Sequence, residues 1–283
     1  MPQDPATSAP IITVRDLAKT YRSKREGLLE ALAPVSFAIP EGEFVCLVGP
    51  SGCGKSTLLK ILAGIVPRSG GDIEIRHSGR PATDCHIGLV FQSPVLLPWR
   101  TVLENTVLPA DVLDLDRAAA ERRARALLAM VGLQGFEQSY PSELSGGMQQ
   151  RCAITRALLH DPPILLMDEP FGALDAMTRD TMNLELQRIW AESRKTVFLI
   201  THSIPEAVFL STRVVVMSPR PGRIARVIEV DLPQPRDVDT RESPRYFELV
   251  TQVREALRRF DSSGPSEALE AGVADRIRAE GIG

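Results

Sequence analysis

The stretch Gly49-Pro50-Ser51-Gly52-Cys53-Gly54-Lys55-Ser56-Thr57 sets the architecture of this 283-residue chain. Counted from Gly49 to Ser56, it fits the phosphate-binding pattern G-x-x-x-x-G-K-[ST]. The mainly apolar residues 43–48 lead into it and predict a buried strand, and residues 56–62 follow it and predict a helix. Because this strand and helix are the context that the pattern requires, the stretch predicts a loop that binds a nucleoside triphosphate. The same strand and helix disfavour the alternative, which is a glycine-rich turn that matches the phosphate-binding pattern by chance.

The residue types in this loop suit a triphosphate. Glycines let backbone N–H groups turn inward around phosphate oxygens, and the start of the following helix adds partial positive charge. The Lys55 ammonium can reach the β- and γ-phosphates, and the Ser56 hydroxyl can be a ligand of Mg²⁺. We expect the whole stretch to contact the nucleotide, namely Gly49, Pro50, Ser51, Gly52, Cys53, Gly54, Lys55, Ser56 and Thr57.

Composition and charge limit the class of protein. The length fits one or two domains, and the composition is that of a soluble globular protein. A net charge of −3 supplies no basic field for nucleic acid, and no apolar run approaches the roughly 18 residues that a membrane span needs. Residues 1–6 lack the basic and apolar regions of a signal peptide.

The four cysteines show neither a C-x-x-C pair nor a spacing typical of metal ligands; they are Cys46, Cys53, Cys85 and Cys152. Free thiols in a chain without an export signal predict the reducing cytoplasm. Cys53 lies at the expected start of a helix, where the pKa of a thiol can be lowered. We therefore expect alkylation of Cys53 to block nucleotide binding, and bound nucleotide to protect this thiol.

Apolar patterns along the chain predict an α/β fold. Residues 1–10 are rich in proline and are expected to be mobile, residues 11–39 predict a small antiparallel sheet, and residues 103–159 predict helices. Continuous apolar runs are typical of parallel strands buried on both faces. Such buried strands are expected at residues 87–91, 164–167, 196–200 and 214–217, and the alternating residues 72–76 predict one further strand. The expected fold is a P-loop NTPase core with a mostly parallel sheet, an N-terminal antiparallel β lobe and an inserted α-helical subdomain.

The last fifty residues differ in character. Residues 231–244 are rich in proline and charge and predict a connector. Residues 246–260 predict a packing helix with one apolar stripe formed by Phe247, Val250, Val253 and Leu257, although a regulatory or partner-docking tail is an alternative. Residues 262–265 predict a linker, followed by a short charged helix or disorder.

Two acids follow the apolar run at residues 164–167. Asp168 stands where a strand beside the phosphate loop would end, so we expect it to hold Mg²⁺ directly or through water. Glu169 is the better candidate for the general base that polarises the attacking water. The alternative is an acidic strand end that faces solvent, and the four apolar residues before the pair disfavour it.

A second anion site is predicted at residues 144–151, which read Leu-Ser-Gly-Gly-Met-Gln-Gln-Arg. Ser145 supplies a hydroxyl, and Gly146 and Gly147 expose backbone N–H groups at a helix start. One nucleotide does not need two phosphate cradles on one monomer, whereas two copies arranged head to tail would use both. The alternative is a serine–glycine loop that only caps a helix.

Residues 144–149 closely match the signature of the ATP-binding cassette ATPases, and the chain resembles this family from about residue 11 to residue 230. The resemblance implies ATP as the nucleotide and Mg²⁺ as its metal. It also implies a homodimer that sandwiches two ATP molecules, with Ser145, Gly146, Gly147 and Gln149 of one copy facing the Lys55 loop of the other.

The resemblance assigns roles to four further residues. Tyr21 resembles the aromatic residue that stacks on adenine, and Gln92 resembles the glutamine that reaches Mg²⁺ and the attacking water. Asp175 lies in Ala173-Leu174-Asp175, which resembles the loop that meets the other monomer. His202 resembles the switch histidine that contacts the γ-phosphate. The implied catalytic set is Glu169, His202, Gln92 and Lys55, and the implied metal set is Ser56, Gln92 and Asp168.

The chain departs from the family at one position of this site. After the histidine the family usually carries aspartate, and here Ser203 follows His202. A serine supplies no charge, but it can still cap the helix that follows. We expect activity to be retained, with altered coupling at the dimer or switch at most.

A narrower likeness is to one importer branch of the family, which takes up nitrate, sulfonates, taurine and sometimes bicarbonate or vitamin precursors. It rests on residues 95–102, on Met148 inside the signature and on residues 220–224. Leu97 and Trp99 would anchor a permease helix in a groove, or alternatively pack inside the helical subdomain.

The implied organisation is an ATPase domain at residues 11–230, a helical subdomain at about residues 93–163 and a C-terminal extension at residues 231–283. The implied partners are a second copy, membrane permease subunits and, indirectly, a soluble substrate-binding protein, with no nucleic acid. The expected location is the cytoplasmic face of the inner membrane. Two alternatives stay open, namely a non-transport cassette ATPase acting on ribosomes or DNA, and a small-molecule kinase that shares the phosphate loop.

Overall fold

The structure, a computed structural model, describes residues 10–23, 27–77, 80–81 and 87–261. Several expectations therefore fall outside the described residues. They concern nearly all of the mobile start, Cys85, the linker at residues 262–265 and the segment after it.

The N-terminal sheet has four strands in the order β2-β1-β4-β5, and all neighbours are antiparallel. The strands are β1 (Pro10–Ser23), β2 (Gly27–Pro40), β4 (Gly70–His77) and β5 (Arg80–Pro81). The antiparallel sheet predicted from residues 11–39 is thus confirmed, and the strand predicted at residues 72–76 adds to its edge beside β1.

The second sheet has six strands in the order β10-β9-β3-β8-β7-β6. Its strands are β3 (Phe44–Val48), β6 (Ile87–Val90), β7 (Ile164–Asp168), β8 (Thr196–Ile200), β9 (Arg213–Met217) and β10 (Ile224–Glu229). Pairing is parallel from β9 to β6, and only β10 is antiparallel to its neighbour. Every residue of β3, β7 and β8 is buried, as their continuous apolar sequences predict.

Alternate residues of β3 enter two separate hydrophobic cores. Phe44, Cys46 and Val48 pack on the side that holds most of the helices. Val45 and Leu47 pack on the side that holds the first helix and the N-terminal sheet. The parallel sheet is therefore covered on both faces, which fixes the P-loop NTPase arrangement that the sequence predicts.

Seven helices lie in the described part of the chain. They are α1 (Lys55–Leu62), α2 (Val102–Leu113), α3 (Arg117–Met130), α4 (Gly146–Leu158), α5 (Ala176–Ser193), α6 (Ile204–Leu210) and α7 (Pro244–Asp261). Short 3-10 helices span Pro141–Glu143 and Asp239–Glu242. Helices α2, α3 and α4 pack on one another and form the predicted helical insertion. Gly132, at φ +70°, follows Val131, the C-cap of α3.

Helix α7 packs against α6, β9 and β10, but its buried stripe differs from the predicted one. Val250 and Val253 are buried, whereas Phe247 is 58% exposed. The buried face is completed by Tyr246, one residue earlier, whose hydroxyl donates to the carbonyl oxygen of Pro205 over 2.9 Å. A shift of one residue turns a side chain by about 100° around a helix, so Phe247 points to solvent.

Arg236 fastens the C-terminal extension to α6. Its side chain is 4% exposed, and its Nη1 donates to the carbonyl oxygens of Val208, Phe209 and Ser211 over 2.8–2.9 Å. Burial lowers the pKa of Arg236 to about 10, so the guanidinium stays charged at neutral pH. These bonds satisfy carbonyl groups at the end of α6 that the helix itself leaves free.

We expect Arg236→Ala to lower the free energy of unfolding by about 3 kcal/mol, because several buried carbonyls lose their donor together. Urea unfolding of the full chain measures this loss. Arg245→Ala is the matched control, because Arg245 forms ion pairs with Asp231 and Glu248 at the surface. Equal losses in the two variants would contradict this account of Arg236.

Candidate active site

The phosphate loop joins β3 to α1 and is shaped by glycines that no other residue can replace. Gly52 and Gly54 have φ of +74° and +104°. A Cβ at Gly54 would lie 2.7 Å from Leu32 Cδ2 and 2.8 Å from the carbonyl oxygen of Ala31. The loop is therefore packed tightly against β2 directly before the start of α1, and a helix start is a place where phosphate commonly binds.

Lys55 is held by the loop itself. Its Nζ donates to the carbonyl oxygens of Gly49 and Pro50 over 2.8 and 2.9 Å, and the residue is 8% exposed. An ammonium group thus lies within the curve of the loop, where the β- and γ-phosphates are expected.

Ser56 and Asp168 meet at the carboxyl end of β7. The Ser56 hydroxyl donates to Asp168 Oδ1 over 3.1 Å. Burial raises the pKa of Asp168, the Ser56 hydrogen bond opposes that shift, and neighbouring Glu169 adds to it. A hydroxyl beside a desolvated carboxylate fits Mg²⁺, since these are oxygen ligands of the type it prefers and a cation favours the ionised acid.

Within the described residues, no cluster of three or more His, Cys, Asp or Glu side chains could hold a metal. Mg²⁺ at the Ser56–Asp168 pair would therefore need phosphate oxygens of the nucleotide to complete its ligands, as in other phosphate-loop sites.

Glu169, Gln92 and His202 come together beside this pair. Glu169 Oε2 accepts from Gln92 Nε2 over 3.2 Å and lies 3.3 Å from His202 Nδ1. Glu169 has φ of +46°, and its N–H donates to the carbonyl oxygen of Ile200 over 2.9 Å. Three of the four predicted catalytic residues thus form one cluster. Gln92 contacts Glu169 here, so its predicted role as a Mg²⁺ ligand stays a prediction.

The signature loop forms a second region whose hydrogen bonds are local. Ser145 caps α4 by accepting from the Met148 N–H over 3.3 Å. Gln149 Nε2 donates to the carbonyl oxygen of Pro141 over 2.9 Å, so it holds the loop in shape. Gly147 packs against Leu174, since a Cβ there would lie 3.1 Å from Leu174 Cδ2. Nucleotide binding by Ser145, Gly146, Gly147 and Gln149 stays a prediction.

Asp175 and Tyr21 also have local partners. Asp175 caps α5 and accepts from the Thr178 N–H and hydroxyl over 2.9 and 2.6 Å. Tyr21 of β1 lies opposite Leu29 of the antiparallel strand β2. Two residues after Leu29 comes Ala31, whose carbonyl oxygen packs against Gly54 of the phosphate loop. Its ring lies 4.7 Å from Lys19 Nζ, an arrangement typical of a cation–π contact. The roles of both residues toward nucleotide stay predictions.

Ser203 caps α6, as its sequence position predicts. Its hydroxyl accepts from the Glu206 N–H over 3.4 Å, so the helix after His202 begins properly without the usual aspartate.

Residues 220–222 contact the phosphate loop, which the sequence did not predict. Arg220 Nη2 and Nε donate to the carbonyl oxygen of Gly52 over 3.1 and 3.2 Å. A Cβ at Gly222 would lie 2.0 Å from the carbonyl oxygen of Cys53, so only glycine fits there. The Arg-Pro-Gly sequence at residues 220–222 is recognisable as a tight turn, but nothing in it shows that Arg220 contacts Gly52, which lies 168 residues earlier in the chain.

The expectation that Cys53 has a lowered pKa is wrong. Burial raises the pKa of the Cys53 thiol, and the nearby Lys55 ammonium opposes this less strongly. The side chain is 1% exposed and packs against the inside of the loop, close to where a Cβ on Gly49 would lie. Desolvation of the thiolate therefore outweighs the field at the start of α1.

We expect iodoacetamide at pH 8 to modify Cys53 at least about tenfold more slowly in the folded chain than in guanidinium, because burial removes both access and thiolate. Peptide mass spectrometry with time gives both rates. In guanidinium all four cysteines should react at similar rates, which is the internal control. Rapid modification of Cys53 in the folded chain would refute the buried environment.

Comparison with known proteins identifies the family. The sequence model of the family described as "ABC transporter" matches residues 32–172 of this chain. An uncharacterized ABC transporter ATP-binding protein of Methanocaldococcus jannaschii is 44% identical over 86% of this chain and 90% of its own length. The taurine import ATP-binding protein TauB of Rhizobium johnstonii is 46% identical over 86% and 95% of the two chains. The aliphatic sulfonates import ATP-binding protein SsuB of Bacillus cereus is 43% identical over 89% and 97%.

A solved structure also matches the fold. The dimeric post-hydrolysis state of the ATP-binding cassette MJ0796 bound to ADP and Pi superimposes with a TM-score of 0.70 at 34% identity, covering 77% of this chain and 98% of that one. In the part of this chain that the structure describes, no helix combines the length and apolar character needed to cross a membrane. The chain therefore belongs to the ABC transporter family, as an ATP-binding cassette subunit that hydrolyses ATP.

Proposed function

We propose that this chain powers an importer of small sulfonates, with taurine and aliphatic sulfonates as the first candidates. The observation that carries the chemistry is the Glu169–Gln92–His202 cluster beside the Ser56–Asp168 pair. The cargo class is supported by the names of the relatives TauB and SsuB.

In this proposal each group has one task. The nine loop residues, with Lys55 among them, bind the ATP phosphates, and Tyr21 stacks on adenine. Water attacks the γ-phosphorus, the bond to the bridging oxygen breaks, and Glu169 takes the proton. Gln92 and His202 orient Glu169 and the water. Mg²⁺, held by Ser56 and Asp168 with Gln92 nearby, would neutralise phosphate charge.

Two copies complete each site. The signature residues Ser145, Gly146, Gly147 and Gln149 serve the nucleotide of the partner, and Asp175 lies at the contact between copies. This arrangement is supported by the capped start of α4, which offers N–H groups to an anion, and by the dimeric state of the matched structure. ATP favours the closed dimer and ADP does not, so hydrolysis drives a population shift.

The chain divides into a cassette at residues 11–230, with its helical subdomain at about residues 93–163, and an extension from residue 231. The permease docks on the segment between β6 and α2, where Trp99 is 70% exposed and Val95 is 57% exposed. Exposed apolar side chains in a short loop suit a docking surface. The cassette then lies at the cytoplasmic face of the membrane, and a soluble receptor acts through the permease.

Glu169→Gln should keep ATP binding and lower turnover at least about hundredfold, because an amide cannot take the proton. It should also trap an ATP-dependent dimer, which size-exclusion chromatography detects. Lys55→Ala should instead weaken ATP affinity at least about tenfold. Near-normal turnover of Glu169→Gln would remove this residue from the mechanism.

Trp99→Ala should reduce recovery of the permease in a pull-down at least about fivefold, while basal ATP hydrolysis of the isolated chain stays unchanged. Phe247→Ala is the matched control, because this aromatic ring is similarly exposed but lies on α7. Equal recovery with both variants would place the docking surface elsewhere.

The importer proposal is tested on the complex isolated from membranes through a tag on this chain. It is reconstituted with its receptor and supplied with taurine, alkanesulfonates, nitrate and bicarbonate in turn. Stimulation of ATP hydrolysis by a sulfonate supports the proposal, and stimulation by nitrate or bicarbonate alone assigns a different cargo. Absence of a permease from the complex would contradict the importer role.

A further inference from the structure

A small cavity lined by Glu169 and His202 is also lined by two charged side chains that this mechanism does not use. Its volume is about 10 Å³, close to the space of one water molecule. Arg179 of α5 and Glu206 of α6 form part of its wall. Side chains from α5 and α6 therefore share this cavity with Glu169 and His202.

Glu206 contacts the residue on each side of His202, one through its carboxylate and one through its backbone N–H. Its carboxylate accepts a hydrogen bond from the Thr201 hydroxyl, and its N–H donates to Ser203 Oγ over 3.4 Å. The Ser203 N–H in turn donates to Thr201 Oγ1 over 3.0 Å. The buried carboxylate of Glu206, in a residue 5% exposed, thus contacts Thr201 directly, and it is linked to Ser203 through the Thr201 hydroxyl.

Arg179 connects Glu206 to the loop at residues 173–175. Its Nη2 donates to the carbonyl oxygen of Leu174 over 3.0 Å, and its charge acts on the Glu206 carboxylate. Its Nε is buried without a hydrogen-bond partner among the described residues. Arg179 therefore contacts the loop directly and lines the same cavity as Glu206.

The charges around Glu206 favour its ionised form. Burial raises the pKa of Glu206, and the Thr201 hydrogen bond and the charges of Arg179, His202 and Arg241 oppose that shift. Removing Arg179 would leave a buried acid with weaker compensation, which disturbs the residues that it holds.

We propose that Glu206 and Arg179 are positioning residues for ATP hydrolysis, which link the loop at residues 173–175 to the backbone around His202. The proposal rests on the proposed function, since it takes His202 as a group at the γ-phosphate. When a second copy presses on the loop, the Leu174 carbonyl and Arg179 move together. Glu206 passes this displacement to the Thr201 hydroxyl, which also accepts from the Ser203 N–H, so His202 reaches its working position only in the closed dimer.

The test is a double-mutant cycle with the full chain, using Glu206→Gln, Arg179→Gln and the double variant. We expect kcat to fall about tenfold in each single variant while KM for ATP changes less than about twofold, because nucleotide contacts are untouched. The double variant should be no slower than the slower single variant, since the two residues act as a unit. ATP-dependent dimers should still form in a Glu169→Gln background.

Arg188→Gln and Glu192→Gln are the controls, because these residues form an ion pair at the surface of α5. Both should keep the wild-type kcat. A kcat within about twofold of wild type in both single variants, or losses that multiply in the double variant, would overturn the proposal. If Glu206→Gln does not fold, Glu206→Asp keeps the charge with a shorter reach and should show the same fall in kcat at unchanged KM.

Failure of this proposal is distinguishable from failure of the importer function. The cycle measures hydrolysis by the cassette alone, whereas the importer test measures stimulation by cargo in the complex. Normal kcat in the variants with cargo stimulation intact would reject only the positioning role.

Discussion

The site rests on the parallel pairing of β6, β7 and β8. Their carboxyl ends share one edge of the sheet, so Gln92, Glu169 and His202 meet although they are separated by 77 and 33 residues along the chain. Because β7 is buried on both faces, its apolar pattern alone does not select a register. The polar contacts at its end select one, through the Ser56 hydroxyl on Asp168 and the Glu169 N–H on Ile200.

The phosphate loop is held from outside as well as by its own glycines. The N-terminal sheet presses Leu32 and Ala31 against Gly54, and the segment between β9 and β10 places Gly222 against Cys53. The Gly222 N–H donates to the Ala31 carbonyl oxygen over 3.1 Å, so the two supports also bind each other. Formation of the loop therefore requires parts of the chain that carry no nucleotide motif.

Features coded by local pattern were predictable from the sequence, and features set by distant packing were not. The strand–loop–helix at residues 43–62, the antiparallel lobe and the strand ends that carry Asp168 and Glu169 follow from short patterns. The environment of Cys53 was mispredicted because burial by distant segments outweighs the helix start. Phe247 was misplaced because a stripe read from sequence has a phase uncertain by one residue, which the Tyr246–Pro205 hydrogen bond resolves.

The burial of two acids near the site, Asp168 and Glu206, lowers the stability of the folded chain at neutral pH. Folding raises the pKa values of Asp168 and Glu206 through burial. An acid with a raised pKa destabilises the folded state at neutral pH, and this cost declines as the pH falls below the raised pKa and is gone below the pKa of the unfolded state. At Glu206 the folded chain offsets the cost internally, with Arg179, His202 and Arg241. At Asp168 the Ser56 hydrogen bond and the charges of Lys60 and Lys55 oppose the effect of burial, whereas the neighbouring Glu169 adds to it. In the proposed function, Mg²⁺ bound with the nucleotide would offset the remaining cost at Asp168, so that occupation of the site would stabilise the strand ends that build it.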